Sequence, residues 1–288
     1  MSEYRYVILD PTGNLTALVL TPVPEEEKQE LIRRLLRESE QVAFLLPAPG
    51  PEASEKPLTD PAAGEKTIAA GLRLMGGEFC GNATMAAAAW LLRGRLQAGE
   101  EQSLFLSVSG AGEPVPCRIR ALADGSYEGT VRMPAIRGIE DVRLADRDLS
   151  AVHMEGILHL VDCGEPLPRD AAESLLLQAA QKWPEEEAVG LLQWRAGFLR
   201  PLIYVRGSGS LVWENGCGSG SAAIGAWEAQ KNGDGRRATR VAQPGGTILA
   251  EAETAHGAIQ AVWITGRVVL GEENTIRCMD KDAAAVVE

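Results

Sequence analysis

Histidine is scarce in this chain: His153, His159 and His256 are the only three in 288 residues. Imidazole is the commonest metal ligand, so a His-rich catalytic metal site is not expected. Cysteine is also sparse. Cys80, Cys117, Cys163, Cys217 and Cys278 are odd in number and irregularly spaced, with no Cys-x-x-Cys pair. Clustered zinc-ligand spacing is therefore absent. No apolar run approaches the length of a membrane span. The opening residues, Met1-Ser2-Glu3-Tyr4-Arg5-Tyr6-Val7, lack a signal-peptide layout. The expected setting is the cytoplasm, with reduced thiols and no membrane partner. Positive charge is outnumbered, and the net charge of −12 would repel a nucleic acid. The densest basic stretch, Arg236-Arg237-Ala238-Thr239-Arg240, reads as a solvated loop. Against these absences, 45% hydrophobic and 24% charged residues are ordinary for a globular protein. The length suits one large domain or two of ordinary size.

What the chain does have is a repeated cysteine segment. Cys80-Gly81-Asn82-Ala83-Thr84-Met85-Ala86-Ala87-Ala88-Ala89-Trp90 is matched by Cys217-Gly218-Ser219-Gly220-Ser221-Ala222-Ala223-Ile224-Gly225-Ala226-Trp227. In both, cysteine and glycine are followed by small and hydroxyl residues, then an Ala-rich run ending in tryptophan at the same offset. One such segment would read as tight helix packing, since cysteine is often buried. Two, one in each half, point to a duplicated unit with a thiol at the start of each helix.

Hydrophobic patterning places elements around the two segments. Strands are predicted at Tyr6–Leu9 and Ala17–Leu20, flanking a turn at Asp10–Asn14. A helix follows at Glu25–Ser39, then strands at Val42–Leu46 and Thr67–Leu74. The Pro-, Gly- and Glu-rich stretch from Pro47 to Lys66 reads as an exposed loop. The first cysteine helix is predicted at Ala83–Leu92, with strands at Ser103–Val108, Val115–Ala121 and Tyr127–Met133. The polar stretch Arg137–Ser150 is the predicted crossing between halves. A strand at Gly156–Val161, a helix at Pro168–Lys182 and strands at Val189–Gln193 and Pro201–Val205 lead to the second cysteine helix, Ser221–Lys231. Strand-like runs at Arg240–Gln243, Thr247–Ala252 and Ile259–Leu270 close the pattern, with a frayed tail at Met279–Glu288. Few helices among many strands predict two α+β lobes, each a curved sheet around a central helix.

A cysteine at a helix start has chemical consequences. The first backbone N–H groups of a helix lack internal partners, and the helix dipole is positive there. A carboxylate binds well at such a point, and a thiol is expected to ionise more readily. Gly81 and Gly218 would let the backbone approach a ligand closely. Asn82 and Ser219 can add side-chain hydrogen bonds, and Thr84 and Ser221 resemble capping residues. Two such helix ends sharing one α-carboxylate would set the thiols of Cys80 and Cys217 on opposite sides of an α-carbon. One would remove the proton and the other return one, inverting the centre. Cys117, Cys163 and Cys278 lack these features.

These residues resemble the diaminopimelate epimerase-like superfamily. It includes diaminopimelate epimerase, proline racemase, the phenazine-biosynthesis isomerases and the histidine racemases of opine-metallophore pathways. The resemblance spans nearly the whole chain, and the cysteine segments are its specific part. It implies two pseudo-symmetric lobes with the active site between them, at about 1–136 and 137–265, and a C-terminal strand near 266–278 returning to the first lobe. It further implies that Cys80 and Cys217 act as acid and base without pyridoxal phosphate, with no cofactor or metal required.

Other positions match more loosely. Gly13-Asn14 resembles the Gly-Asn of the epimerases, whose asparagine binds substrate. Gly156-Ile157-Leu158-His159 stands where they have Gly-Asn-Pro-His, so the resemblance makes His159 a substrate contact while Ile157 replaces the asparagine. Ala188 replaces another of their asparagines. Tyr204-Val205-Arg206-Gly207-Ser208-Gly209 lacks the glutamate of their Tyr-Glu-Arg-Gly-x-Gly. Ser39-Glu40-Gln41-Val42-Ala43-Phe44 resembles the phenazine-family stretch with a catalytic glutamate. That family lacks the second cysteine. Glu40 and Glu214 would suit an ammonium or cationic side chain. With Asn14, Gln41, Gly81, Asn82, His159, Gly218 and Ser219 they make up the expected binding residues.

The resulting expectation is an amino-acid racemase or epimerase, looking most like the histidine racemases, with a homodimer allowed. A phenazine-type isomerase using Glu40, a diaminopimelate epimerase, and a non-catalytic amino-acid-binding or thiol-redox protein are the alternatives.

Overall fold

The computed structural model describes residues 2–48, 67–207 and 209–278. The predicted frayed tail, and most of the predicted loop at 47–66, lie outside them.

The first half runs β1 (Ser2–Pro11), β2 (Thr16–Val19), α1 (Glu25–Leu35), β3 (Gln41–Leu46), β4 (Ile68–Leu74), α2 (Gly81–Leu92), β5 (Glu101–Val108), β6 (Val115–Ala121) and β7 (Tyr127–Arg132). After β8 (Ile136–Leu144), the second half repeats the order. It runs β9 (Arg147–Met154), β10 (Ile157–Asp162), α3 (Arg169–Lys182), β11 (Ala188–Arg195), β12 (Phe198–Val205), β13 (Ser210–Trp213), α4 (Gly218–Lys231), β14 (Gly235–Gln243), β15 (Gly246–Ala255) and β16 (Ala258–Cys278). The pairings repeat too. β2 and β3 are parallel across α1 as β10 and β11 are across α3. Likewise β4 and β5 are parallel across α2, and β12 and β14 across α4. The hairpin strand β13 interrupts the second copy and pairs only with β12.

The α+β duplication read from the residues is thus present: the strands form one continuous sheet, and those of each half wrap one central helix. In the first half the strands close a ring, because β16 pairs with β7 on one side and β1 on the other. The long β16 begins beside β15 and ends, from Val268 to Cys278, beside β1. β8 follows β7 in the chain but pairs with β9. Each half therefore receives one strand from a connection between them.

Burial explains the two central helices. All of α2 except Leu91 is buried, and α4 is buried over most of its length. A helix apolar on every side belongs inside a protein. Alanine favours the helix and lets the surrounding strands come close. At Gly225 the approach is tighter still: a Cβ there would lie 2.6 Å from the Ala250 Cβ.

Three expectations need correcting. α1 stops at Leu35 rather than Ser39, because the Leu36, Arg37 and Glu38 amides turn back on Ile32, Arg34 and Leu35, and the Ser39 hydroxyl donates to the Leu35 carbonyl. The polar stretch 137–150 is strand for most of its length. β8 is exposed and carries the charged side chains on its open faces. The basic run at 236–240 is not a loop but the exposed part of β14, where Arg236 pairs with Glu251 at 2.9 Å.

Candidate active site

Both central helices begin one residue after a cysteine, earlier than the predicted Ala83 and Ser221. Cys80 and Cys217 are themselves the N-caps, each with an extended backbone. The Cys80 Sγ accepts from the Ala83 amide at 3.5 Å, and the Cys217 Sγ from the Gly220 amide at 3.3 Å. Thr84 and Ser221, expected as caps, sit inside the first turn. Each hydroxyl donates to the carbonyl of its cysteine at 2.7 Å. The thiol takes the capping place because an unpaired helix N–H points at it.

The two helix starts converge. Gly81 and Gly218 both face the Ile264 Cδ1, and the Asn82 side-chain amide donates to the Gly216 carbonyl at 2.9 Å. Behind this contact the Thr12-Gly13 turn lies against Gly245 and Gly216, backbone on backbone. Gly13 has φ +84 there, and a Cβ would have no room. The Gly245 amide donates to the Asn215 carbonyl at 2.8 Å. The Cys217 amide donates to the Gln243 Oε1 at 2.7 Å, and the Gln243 amide donates to the Ser221 hydroxyl at 2.8 Å.

A polar cluster from the first half lines the same place. The Asn14 amide donates to Glu40 at 3.3 Å, and Asn215 donates to the other oxygen of Glu40 at 2.7 Å. Gln41 donates to the Asn14 Oδ1 and, at 2.8 Å, to the Thr16 hydroxyl. Gln41 bears on the ionisation of Cys80, and Glu214 on that of Cys217. Asn14, Glu40, Gln41, Gly81, Asn82, Glu214, Gly218 and Ser219 are thus brought together around the two thiols. His159 is fully buried behind Ser219, with Nε2 3.0 Å from that hydroxyl.

The electrostatics correct one expectation. Neither thiol is eased toward ionisation. Burial pushes Cys80 up to about 11, against the opposing pull of the Ala83 amide and Gln41. Burial and the adjacent Glu214 carboxylate hold Cys217 well above the ordinary thiol range. A helix end is typically worth about 0.3–1 kcal/mol, which desolvation outweighs at the buried Cys217 and also at Cys80, although that residue keeps some exposed surface. Glu214 keeps some exposed surface, yet its carboxyl is surrounded by protein, and burial raises it from 4.5 to about 7. Burial also raises Glu40.

Asn215 and Gln243 were not singled out from the sequence. Neither stands in a motif, and their roles arise only where the β14–β15 turn meets the segment before Cys217. Asn215 stands directly before Gly216, and Gln243 directly before the Pro244-Gly245-Gly246 turn. A surface groove of about 510 Å³, bordered by Phe79, Met133 and Val262, contains neither thiol. Among the described residues, no group of three or more His, Cys, Asp or Glu side chains is placed to hold a metal ion. No helix among them is long and apolar enough to cross a membrane.

Residues 3–276 match the profile of the histidine racemase CntK N-terminal domain. The chain belongs to this family. It is similar to the histidine racemase of Staphylococcus aureus, with 28% identity over 274 residues, 90% of this chain and 92% of that one. A histidine racemase of Fusobacterium nucleatum is 24% identical over 254 residues, 84% of this chain and 86% of that one. Among solved structures, a hydroxyproline epimerase from Agrobacterium vitis with bound trans-4-hydroxy-L-proline superposes with a TM-score of 0.67 at 14% identity. It covers 99% of this chain and 96% of that one. A Bacillus anthracis phenazine biosynthesis protein of the PhzF family gives 0.66 at 13% identity, over 96% and 100%. These structures share the fold of this family member, as the resemblance implied.

Proposed function

We propose that this protein is an amino-acid racemase that inverts the α-carbon of histidine, with Cys80 and Cys217 as its acid–base pair. The observation that carries the reading is the matched placement of the two thiols as N-caps of converging helices. Family membership and the curated histidine racemases support the reaction and the amino acid.

The chemistry follows from the site. The α-carboxylate sits at the two helix starts, where the amides of Gly81, Asn82, Gly218 and Ser219 offer hydrogen bonds and positive potential. One cysteine, as thiolate, takes the α-proton and becomes a thiol. The electron pair left on the α-carbon spreads into the carboxylate, where the amides hold the added charge. The other cysteine gives its proton to the opposite face and becomes the thiolate. The product is the other enantiomer, with the two protonation states exchanged. Burial suits this task, since a desolvated thiolate is a stronger base than a solvated one. Glu40 and Glu214 supply negative charge for the ammonium and the imidazole side.

The test is proton NMR of the reduced protein in D2O with L-histidine, followed by chiral chromatography. Loss of the α-proton signal together with appearance of D-histidine is the expected result. An α-proton that stays in place with histidine and a panel of other amino acids would overturn the reading.

A further inference from the structure

We propose that Gln243 is a positioning residue, which closes a ring of hydrogen bonds around Cys217 and so fixes where its sulfur stands. The inference rests on the two-thiol reading above and deepens it.

The ring has three bonds. The Cys217 amide donates to the Gln243 Oε1 at 2.7 Å. The Gln243 Nε2 donates to the Ser221 hydroxyl at 2.8 Å, and that hydroxyl donates to the Cys217 carbonyl at 2.7 Å. The first bond decides the direction of the others. A backbone N–H only donates, so the oxygen of the Gln243 amide faces Cys217 and its nitrogen faces Ser221. The serine proton is left for the carbonyl. All three bonds run the same way round, so each polarises the next. Gln243, Ser221 and Cys217 are all buried, so water does not replace a bond that is lost.

The ring holds Cys217 by its N–H and by its C=O. A residue has two soft backbone torsions, and fixing the peptide groups on either side sets both. Cys217 is thereby kept extended, at φ −109° and ψ 109°, and its Cα–Cβ bond keeps one direction. The grip comes from outside the helix. Gln243 is the last residue of β14 and pairs with Gly246 across the turn to β15. The Gly245 amide of that turn donates to the Asn215 carbonyl at 2.8 Å, just ahead of the cysteine.

The first half is built differently. Thr84 holds the Cys80 carbonyl at 2.7 Å, as Ser221 holds that of Cys217. Just past the corresponding strand, β5, the Ser109 hydroxyl donates to the Glu78 carbonyl at 2.9 Å, two residues before the cysteine. Gln243 thus gives Cys217 a restraint of its own, and its loss should be felt at one thiol rather than both.

The experiment compares Gln243→Leu, Ser221→Ala and Ser221→Thr with the unaltered protein, using L- and D-histidine with hydrogen or deuterium at the α-carbon. Leucine removes two bonds of the ring. Alanine opens it while leaving the bond to the Cys217 amide. Threonine keeps a hydroxyl, as at Thr84. A misplaced reacting group costs up to about 10²-fold in rate, and a kcat loss approaching that is expected for Gln243→Leu and Ser221→Ala. Ser221→Thr should recover most of it. The isotope effects locate the fault. In the direction where Cys217 removes the α-hydrogen, the labelled bond breaks in the slowed step, so the effect on kcat/KM rises. In the other direction Cys217 only returns a proton, after the labelled bond has broken, so the effect falls. A general loss of folded protein lowers both rates and leaves both effects unchanged. Thermal unfolding identifies a variant that does not fold, and Ser221→Ala then decides in place of Gln243→Leu. Undiminished kcat in folded Gln243→Leu or Ser221→Ala would overturn the proposal. So would isotope effects that do not separate, or a threonine variant no better than alanine. An unaltered protein that exchanges no α-proton would instead remove the racemase reading itself.

Discussion

Asn82, in the first turn of α2, donates its side-chain amide to the backbone carbonyl of Gly216, the residue before Cys217. One hydrogen bond thus ties the start of one central helix to the start of the other. Asn82 is 1% exposed, so no solvent replaces the bond when it is lost. A buried carbonyl left without its donor costs about 1–3 kcal/mol. Asn82→Ala should lower the unfolding free energy by that amount in a urea titration. Racemisation should fall further than stability alone explains, because the two thiols lose their common reference. A variant with wild-type kcat would show that the bond holds the fold only.

Removal of either thiol tests the two-base scheme directly. Serine fills the same space but does not ionise in the working range. General acid–base groups typically contribute about 10²–10⁴-fold, and a loss of at least that size is expected for Cys80→Ser and Cys217→Ser alike. Chiral chromatography of histidine after long incubation is the readout. Undiminished conversion in either variant would sink the scheme.

Glu40 separates the racemase from a phenazine-type isomerase. Its carboxylate is held by the Asn14 and Asn215 amides. In the racemase it balances substrate charge, so Glu40→Gln should raise KM for histidine while α-proton exchange in D2O continues. In an isomerase with Glu40 as proton shuttle, the same change would stop turnover altogether. Saturation kinetics of the variant decide between them.

Stability should depend on pH through two groups with opposite signs. Glu214 titrates at about 7 in the folded state, up from 4.5. The folded protein binds that proton more tightly, so stability is full below about 4.5 and is lost as pH rises through about 7. In Glu214→Gln the loss over that window should disappear, and the variant should melt higher than the natural protein at pH 8 but not at pH 4. His159 is lowered from 6.5 to about 3. Its contribution is full above about 6.5 and is lost as pH falls toward 3. His159→Gln should therefore melt with less acid sensitivity below pH 6. Melting curves between pH 4 and pH 8 would check both, and parallel curves for all three proteins would refute the assignment.

Much of this site is legible without coordinates because its parts are local. A Cys-Gly pair followed by small residues and alanines encodes a buried helix with a thiol at its start. Its repetition in the second half encodes the pairing. Asn14, Glu40 and Gln41 lie at the ends of strands that can be read from their β-branched and aromatic neighbours. The helix starts were misplaced because the thiol, rather than Thr84 or Ser221, occupies the capping position. No local rule distinguishes those choices, since a hydroxyl can also bond back to the preceding turn. Asn215 and Gln243 were illegible for another reason. Their partners, Glu40 and the Cys217 amide, are far away in the chain.

The sequence by itself determined the duplicated α+β plan, the two thiols at helix starts and the acidic residues near them. These depend on spacing, patterning and side-chain type, which are properties of short segments. Only the tertiary structure decided that Asn82 bridges to Gly216 and that His159 stands behind Ser219. It also reversed the expected ionisation of the thiols. A helix end favours thiolate over a single turn, but desolvation depends on every element packed around the sulfur. That quantity exists only once the two halves have folded against each other.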